Sequence, residues 1–163
     1  MKHQSFISCR AFSICYGSMS PNEVFQGNFS ETGQRNLSIY VYQGSVNITS
    51  STDVSFECER QKLVDLQEIT EGLVEYRAGD AGAAWLCIND NPRKKEFNFE
   101  LINAPTAKTI TGSAKETYLL CIENTITCNG IAVEERGYAR IKNGSNVAIN
   151  IPANAAAILM VEK

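Results

Sequence analysis

The segment LSIYVYQGSVNI, residues 37–48, decides the fold class of this chain. Its first six side chains alternate between two faces of an extended strand, because every second residue of a strand points the same way. One face carries Leu37, Ile39 and Val41, and the other carries Ser38, Tyr40 and Tyr42. Gly44 then interrupts the run before β-branched residues resume. The alternation predicts a β-strand with one buried face, broken near its middle by the glycine.

The same pattern recurs along the whole chain. Segments rich in Val, Ile, Phe, Tyr and Thr are separated by clusters of Gly, Asn, Asp, Ser or Pro. The predicted strands cover residues 6–16, 37–49, 54–59, 85–89, 97–103, 118–128, 147–151 and 157–161. Residues 61–69 are the best helix candidate, although their apolar side chains would serve a short strand almost as well. Many short strands with turns about every ten residues predict an all-β sandwich or barrel.

The two halves of the chain repeat one order of elements. Each half has a long strand broken near its middle, then a turn, and then a dipeptide that begins with glycine and opens a return strand. The dipeptides are Gly79-Asp80 in the first half and Gly144-Ser145 in the second. Hairpins that fold back in this order close a double-stranded β-helix. We therefore predict a single all-β domain over residues 1–163, with residues 1–103 and 104–163 as its two barrel halves.

Composition and charge exclude several classes of protein. Hydrophobic residues make up 44% and charged residues 20% of the chain, so it can bury a core. The net charge of -3 gives no concentrated basic surface, so we predict no nucleic-acid partner. The longest apolar run, residues 155–161, is far below the roughly 20 residues of a membrane helix. With no secretory signal after Met1, we predict a cytoplasmic protein with no membrane partner.

Histidine and cysteine usage restricts the chemistry further. His3 is the single histidine, which leaves no set of imidazoles for a metal site and no Ser-His-Asp or Cys-His arrangement. The six cysteines have no Cys-x-x-Cys spacing and lie mostly among β-forming residues, as Cys87 and Cys121 do. Buried thiols are the expected outcome. We predict no metal and no other cofactor.

Two sets of motifs resemble known families. Residues 144–153 resemble the second motif of the cupin superfamily, in which a metal-ligand His usually follows the Ile-Pro-Ala segment. Here that place is filled by Ala155, Ala156 and Ala157. In the first half, residues 27–30 followed by Gly33, Arg35 and Gly44 resemble the HutD/Ves family of two-cupin proteins, although Thr32 stands where that family has Pro. Residues 76–80 and 95–99 resemble that family's aromatic-x-Gly-Asp turn and Arg-Asp-x-Asn strand.

The resemblance implies a metal-free, cupin-like protein that binds a small ligand in a regulatory or stress-related role. If the tyrosine face of residues 37–42 lines the barrel, Arg35 at the strand mouth can pair with a carboxylate ligand in a bidentate fork. The candidate ligand-binding residues are Arg35, Tyr40, Tyr42, Asp80, Trp85, Glu96 and Asn98. Asp80, Glu96 and Asn98 are placed at the same rim by the family-like motifs, and Trp85 supplies an apolar wall.

Each of these residues also has a plainer interpretation. Tyr40 and Tyr42 fit an amphipathic strand surface or a subunit interface, and Arg35 fits an ion pair in a turn. Asp80 fits a turn former, and Trp85 fits a core residue.

Three functions therefore stay open at this point. The first is binding of a small polar or anionic metabolite without turnover. The second is a metal-independent sugar or keto-acid isomerase or lyase of cupin fold, with a Tyr or Glu base. The third is a structural or assembly subunit of a larger particle. A homo-oligomer is compatible with all three.

Overall fold

The computed structural model describes residues 1–8, 12–28, 37–66, 72–90 and 97–163 of the chain. Within these ranges the regular structure consists of β-strands, with no helix, so the predicted all-β class is confirmed. The chain divides into two compact units, Met1–Lys94 and Lys95–Lys163. That the two units constitute one domain stays a prediction.

The first unit contains one seven-stranded antiparallel sheet. Its strands are β1 (Lys2–Ser8), β2 (Phe12–Met19), β3 (Val24–Asn28), β4 (Leu37–Ser50), β5 (Ser55–Glu59), β6 (Leu63–Asp65) and β7 (Leu73–Asp90). The sheet order is β1-β2-β7-β4-β5, with β3 also paired to β7 and β6 to β4. The 18-residue strand β7 organises the sheet, because it pairs with β3 through its first part, with β2 through its second part and with β4 along nearly its whole length.

Two glycines let β4 and β7 bend together. Gly44 and Gly82 both have positive φ, at 65° and 77°. A Cβ atom on Gly44 would lie 2.0 Å from the carbonyl oxygen of Gly82, so a side chain there meets backbone as well as an unfavourable φ. The pairing register of β4 and β7 shifts on both sides of this approach. The break that the sequence predicts at Gly44 is therefore a bulged bend in a continuous strand.

The second unit contains two four-stranded antiparallel sheets. Its strands are β8 (Phe97–Ile102), β9 (Thr106–Thr111), β10 (Thr117–Glu123), β11 (Ile126–Cys128), β12 (Ile131–Val133), β13 (Tyr138–Ile141), β14 (Asn146–Ile151) and β15 (Ala156–Glu162). The sheet orders are β13-β10-β15-β8 and β12-β11-β14-β9. Both sheets contribute to one aliphatic core that includes Leu119, Ile126, Ile149 and Ala157. Strand β8, assigned to the first half by the sequence, pairs with β15 of the second unit.

Several details differ from the sequence prediction. The single strand predicted for residues 6–16 is two strands, β1 and β2, which pair antiparallel with each other. The turn predicted at Gly79-Asp80 is wrong, because both residues lie inside β7. Within the helix candidate at residues 61–69, the described part forms the short strand Leu63–Asp65. No helix long and apolar enough to cross a membrane is found among the described residues.

Candidate anion-binding cleft

Strand alternation separates two of the predicted ligand-binding residues, Tyr40 and Trp85. Val41 is the register partner of Trp85, so these two share a face, and both belong to the core of the first unit. Tyr40 pairs with Leu86 and lies on the opposite face of the sheet, where it is also buried. Since neighbours along a strand point to opposite sides, one pocket in this sheet does not hold both side chains. Ile39 and Val41 pack into the core of the first unit, and the opposite face of β4, which carries Tyr40, is buried as well.

The other predicted residues belong to both units or lie outside the described residues. Tyr42 is half-buried at the register shift of β4, with its ring centroid 6.0 Å from that of Tyr16. Asp80 is exposed in the first unit, and Asn98 is exposed in the second. Arg35 and Glu96 lie outside the described residues. Their role in ligand binding stays a prediction.

The polar groups inside the first unit are unsuited to acid–base chemistry at neutral pH. Tyr76 stacks on Trp85, with ring centroids 6.1 Å apart and planes 6° from parallel. Burial raises the pKa of both the Cys58 and the Cys87 thiol to about 12, and it raises the pKa of the Tyr76 phenol as well. The Trp85 side chain has a smaller, opposite effect and lowers the pKa of the Cys87 thiol. Its indole Nε1 is buried and has no hydrogen-bond acceptor of normal geometry in the described part of the chain. Protonated, enclosed thiols of this kind are unreactive.

The thiols are possible metal ligands, but they are not arranged as a metal site. The five cysteines of the described ranges are all buried and form no disulfide bond with one another, and Cys9 lies outside those ranges. Among the described residues, no three His, Cys, Asp or Glu side chains are placed so that they would hold a metal ion together.

Three cationic side chains of the second unit, Lys115, Arg140 and Lys142, line a cleft between two turns, residues 112–116 and 142–145. The turns are held together by backbone bonds: the Gly112 N–H donates to Ser145 O at 2.9 Å, and the Gly144 N–H donates to Gly112 O at 3.0 Å. A Cβ atom on Gly112 would lie 2.0 Å from the carbonyl oxygen of Lys142. Only a glycine at this position permits such a close approach of the two turns.

The first turn is fixed by its own hydroxyl groups. Ser113 Oγ accepts the Lys115 N–H at 3.2 Å and donates to Lys115 O at 2.9 Å. Thr117 Oγ1 accepts the Ser113 N–H at 3.3 Å. Side-chain-to-backbone bonds of this type replace strand pairing in tight turns, so they set the position from which the Lys115 side chain leaves the chain.

The cleft has a volume of about 390 Å³. It is lined by Ala114, Lys115, Glu116, Arg140, Ile141, Lys142, Asn143 and Glu162. Three cationic and two anionic side chains give the lining a net charge of +1, although the whole chain carries -3. The cleft therefore concentrates positive charge on an acidic protein.

Part of this charge is already paired. Arg140 Nη2 donates to Glu116 Oε1 at 2.8 Å, and Tyr118 Oη donates to Glu116 Oε2, also at 2.8 Å. The Glu116 N–H donates to Glu162 Oε2 at 3.0 Å. Lys115 and Lys142, in contrast, form no ion pair with any described residue. Two ammonium groups are thus available beside a fixed Arg–Glu pair, an arrangement that can accept an oxyanion.

Comparison with solved structures identifies the fold around this cleft. HutD from Pseudomonas fluorescens superposes with a TM-score of 0.69 at 8% sequence identity, over 93% of this chain and 79% of that one. YhaK from Escherichia coli gives 0.69 at 9% identity, over 99% and 93%. An oxalate decarboxylase from Lactobacillus farciminis, determined as a formate complex, gives 0.59 at 9% identity, over 95% and 77%. The chain has a cupin fold.

The predicted resemblance to HutD and other cupins is thereby confirmed at the level of the fold. No protein-family model matches the chain, and no curated protein has a significantly similar sequence. Identities near 10% carry no residue roles from one cupin to another. The function of this chain therefore has to be argued from its own side chains.

Sequence reasoning missed the cleft because its cations are far apart in the chain and form no spacing motif. Lys115 comes before β10, and Arg140 and Lys142 lie at the end of β13. Pairing of β10 with β13, in which Tyr118 is opposite Arg140, brings them together. The available signal was the predicted turn at residues 142–145, which carries Lys142 immediately before Asn143-Gly144.

Proposed function

We propose that this cupin-like protein binds a small anionic metabolite without turnover, and that Lys115 and Lys142 hold the anion in the cleft of the second unit. The observation that carries the proposal is the pair of ammonium groups without carboxylate partners at a cleft of net charge +1. An oxyanion of a ligand would give both ammonium groups an anionic partner. Binding without turnover suits the regulatory or stress-related role that the family resemblance implies.

The size of the cleft supports a metabolite rather than a bare ion. Its volume of about 390 Å³ lies at the lower end of the roughly 300–1,000 Å³ typical of small-molecule sites. Ala114 and the edge of Ile141 give it an apolar portion, and the Asn143 amide adds both a donor and an acceptor. A short carbon skeleton with one acidic group matches this combination.

The proposed ligand has the chemical class predicted from the sequence, but the proposed binding site lies elsewhere in the chain. Arg35 was the predicted anion partner, and a second anion contact there stays a prediction because Arg35 lies outside the described residues. The predicted absence of nucleic-acid and membrane partners is likewise untested.

An NMR titration with acetate at low ionic strength tests the proposal directly. In the wild-type protein, we expect amide shifts concentrated at residues 113–116 and 142–145. The double variant Lys115→Gln/Lys142→Gln should weaken acetate binding at least tenfold, because it removes both uncommitted cations. The matched control is Lys108→Gln, since Lys108 is an exposed lysine of the same unit that pairs with Glu100 at 3.3 Å and does not line the cleft.

The outcomes separate the open functions. Equal acetate affinity in the double variant and the control would contradict the proposal, as would shifts spread evenly over the surface. Native mass spectra of the purified protein add an independent reading. A stoichiometric organic acid that is lost on denaturation supports the proposal, whereas a stable oligomer that binds no anion favours an assembly role.

A further inference from the structure

We propose that Asn129 is a site of spontaneous deamidation, at which the Gly130 nitrogen attacks the Asn129 side-chain amide and water completes the conversion to aspartate or isoaspartate. The sequence contains two Asn-Gly pairs, Asn129-Gly130 and Asn143-Gly144. A glycine after asparagine leaves the attacking nitrogen without the steric cover of a Cβ atom. Both pairs lie in exposed turns of the second unit, so their hydrogen bonds decide which of them reacts.

The attacking backbone nitrogen is free at one pair and hydrogen-bonded at the other. Asn129 and Gly130 are the central residues of the β11–β12 hairpin turn, with φ angles of 50° and 75°. The Gly130 N–H donates to no acceptor within the described ranges. The Gly144 N–H, in contrast, donates to Gly112 O at 3.0 Å. Attack by the Gly144 nitrogen therefore requires that this bond break first, whereas attack by the Gly130 nitrogen breaks none.

The Asn129 amide is also activated by the neighbouring strand β14. The Ala148 N–H donates to Asn129 Oδ1 at 2.8 Å, and the Asn129 N–H donates to Ala148 O at 2.7 Å. The first bond polarises the side-chain carbonyl, and it stabilises the negative charge that forms on Oδ1 when a nitrogen attacks Cγ. The electrophile is thus activated at the pair whose nucleophile is free.

Water is the only co-reactant of the reaction. The Gly130 nitrogen loses its proton to solvent and forms a bond to Asn129 Cγ. The bond between Cγ and Nδ2 breaks, so that ammonia leaves and a cyclic succinimide remains. Water then opens the ring at the side-chain carbonyl, which gives aspartate, or at the backbone carbonyl, which gives isoaspartate. Nothing is oxidised or reduced, and the net change is the replacement of the amide nitrogen by an oxygen from water.

The two products differ in their effect on the hairpin. An aspartate carboxylate at position 129 can still accept the Ala148 N–H. An isoaspartate places its Cβ in the main chain, which lengthens the two-residue turn between Cys128 and Ile131. Because loop length fixes the register of a hairpin, isoaspartate disturbs the pairing of β11 with β12.

Protection of the second pair preserves the charge of the cleft. Asn143 is one of the lining residues, and its conversion would add a negative charge to the lining that holds Lys115 and Lys142. The bond between Gly144 and Gly112 therefore joins the two turns and also slows deamidation of Asn143.

The test measures both sites in the same wild-type chain. The protein is incubated at pH 8, folded in buffer and unfolded in guanidinium chloride, and its peptides are quantified by mass spectrometry with fragmentation that distinguishes aspartate from isoaspartate. In the folded protein, we expect Asn129 to react about tenfold faster than Asn143, because opening of the protecting bond limits the second site. In the unfolded chain, the two rates should agree within about threefold, since no bond then protects either nitrogen.

Two variants separate the contributions. Gly112→Ala forces the turns apart, so it should raise the rate at Asn143 by about fivefold or more and leave the rate at Asn129 unchanged. Asn129→Gln is the matched control, because a glutamine side chain would have to close a larger ring. It should abolish modification at position 129 without changing the rate at Asn143.

Equal rates at the two sites of the folded protein, or a faster rate at Asn143, would overturn the inference. So would a folded protein in which neither site reacts although both react in guanidinium chloride. This comparison within the wild-type chain decides the question even if Gly112→Ala folds poorly. It involves no anion, so its outcome is independent of acetate binding at the cleft.

Discussion

The interior of the first unit and the cleft of the second unit differ in the residue types that form them and in the availability of those residues for binding. The interior holds the only tryptophan, a stacked tyrosine and thiols that the sequence makes conspicuous. The cleft consists of lysines, an arginine and glutamates that are common on any surface. Burial makes the conspicuous residues unreactive, whereas the ordinary residues are the ones brought together with uncommitted charge. The residue types that stand out in this sequence are therefore core residues, and the geometry of the two turns forms the candidate site.

The largest expected effect comes from removing the aromatic centre of the first unit. Trp85 is 1% exposed and stacks on Tyr76, so Trp85→Ala should lower the free energy of unfolding by about 3–5 kcal/mol. Urea unfolding followed by far-ultraviolet circular dichroism measures it, because the variant has no tryptophan fluorescence.

The same variant sharpens the contrast between interior and cleft. At temperatures where Trp85→Ala is folded, its acetate affinity should equal that of the wild type, because Trp85 belongs to the first-unit core and not to the cleft lining. A parallel loss of acetate binding in the folded variant would show that the first-unit interior takes part in the site.

The next effect is a pH dependence of the first unit's thiols. The pKa of Cys58 is raised by burial to about 12, above its ordinary value of 9.0. Below pH 9 the thiol is protonated in both folded and unfolded chains, so its contribution to stability is complete. As the pH rises above 9, only the unfolded chain releases the proton, and the free energy of unfolding falls by about 1.4 kcal/mol per pH unit.

Urea unfolding of wild type and Cys58→Ala at pH 8, 9, 10 and 10.5 isolates this contribution. Other tyrosines and lysines titrate in the same range, so the quantity of interest is the difference between the two proteins. That difference should shift by about 2 kcal/mol in favour of the variant between pH 9 and 10.5. A constant difference across the series would mean that the thiol ionises inside the folded protein, contrary to its burial.

The sequence predicts the fold much better than the site, for a physical reason. Alternation along residues 37–42 is a local property, and it correctly places Ile39 and Val41 together on one face. Which of the two faces lines a cavity depends on strands far away in sequence, so the alternation alone leaves open whether Tyr40 points into the barrel. The turn predicted at Gly79-Asp80 is wrong because strand β7 continues through both residues, although glycine and aspartate are typical of turns. The cleft depends on the β10–β13 register, which no local pattern records.

A smaller effect tests whether turn geometry builds the cleft. In Gly112→Ala the new Cβ meets the Lys142 carbonyl oxygen at 2.0 Å, so the two turns must separate. We expect a loss of about 1–3 kcal/mol in stability together with a clear weakening of acetate binding. The matched control is Gly130→Ala, at a turn of the same unit where φ is +75° and no atom lies within 4 Å of the added Cβ.

Gly130→Ala should cost about 1–2 kcal/mol, because an alanine is strained at this φ, but it should leave acetate affinity unchanged. The two variants should thus lose a similar amount of stability, but only Gly112→Ala should move Lys115 and Lys142. Equal acetate binding in both would show that the spacing of the two turns does not control the site.

The smallest expected effect concerns the support of the Arg140–Glu116 pair. Tyr118 is 7% exposed, and its hydroxyl donates to Glu116 Oε2 at 2.8 Å, so Tyr118→Phe removes one bond to a carboxylate and keeps the ring. The ring contacts with Phe97 and Tyr138, at centroid distances of 5.9 and 6.0 Å, are preserved. We expect a loss of about 1–2 kcal/mol in the free energy of unfolding, since hydrogen bonds to charged groups exceed neutral ones.

Acetate affinity should change less than twofold in Tyr118→Phe, because the guanidinium of Arg140 still holds Glu116 at its other oxygen. A loss as large as that of the double lysine variant would mean that the position of Glu116, and not the uncommitted charge of Lys115 and Lys142, determines binding. The cleft would then depend on a buried hydroxyl, as enclosed pockets do, and the contrast between interior packing and surface charge would no longer hold.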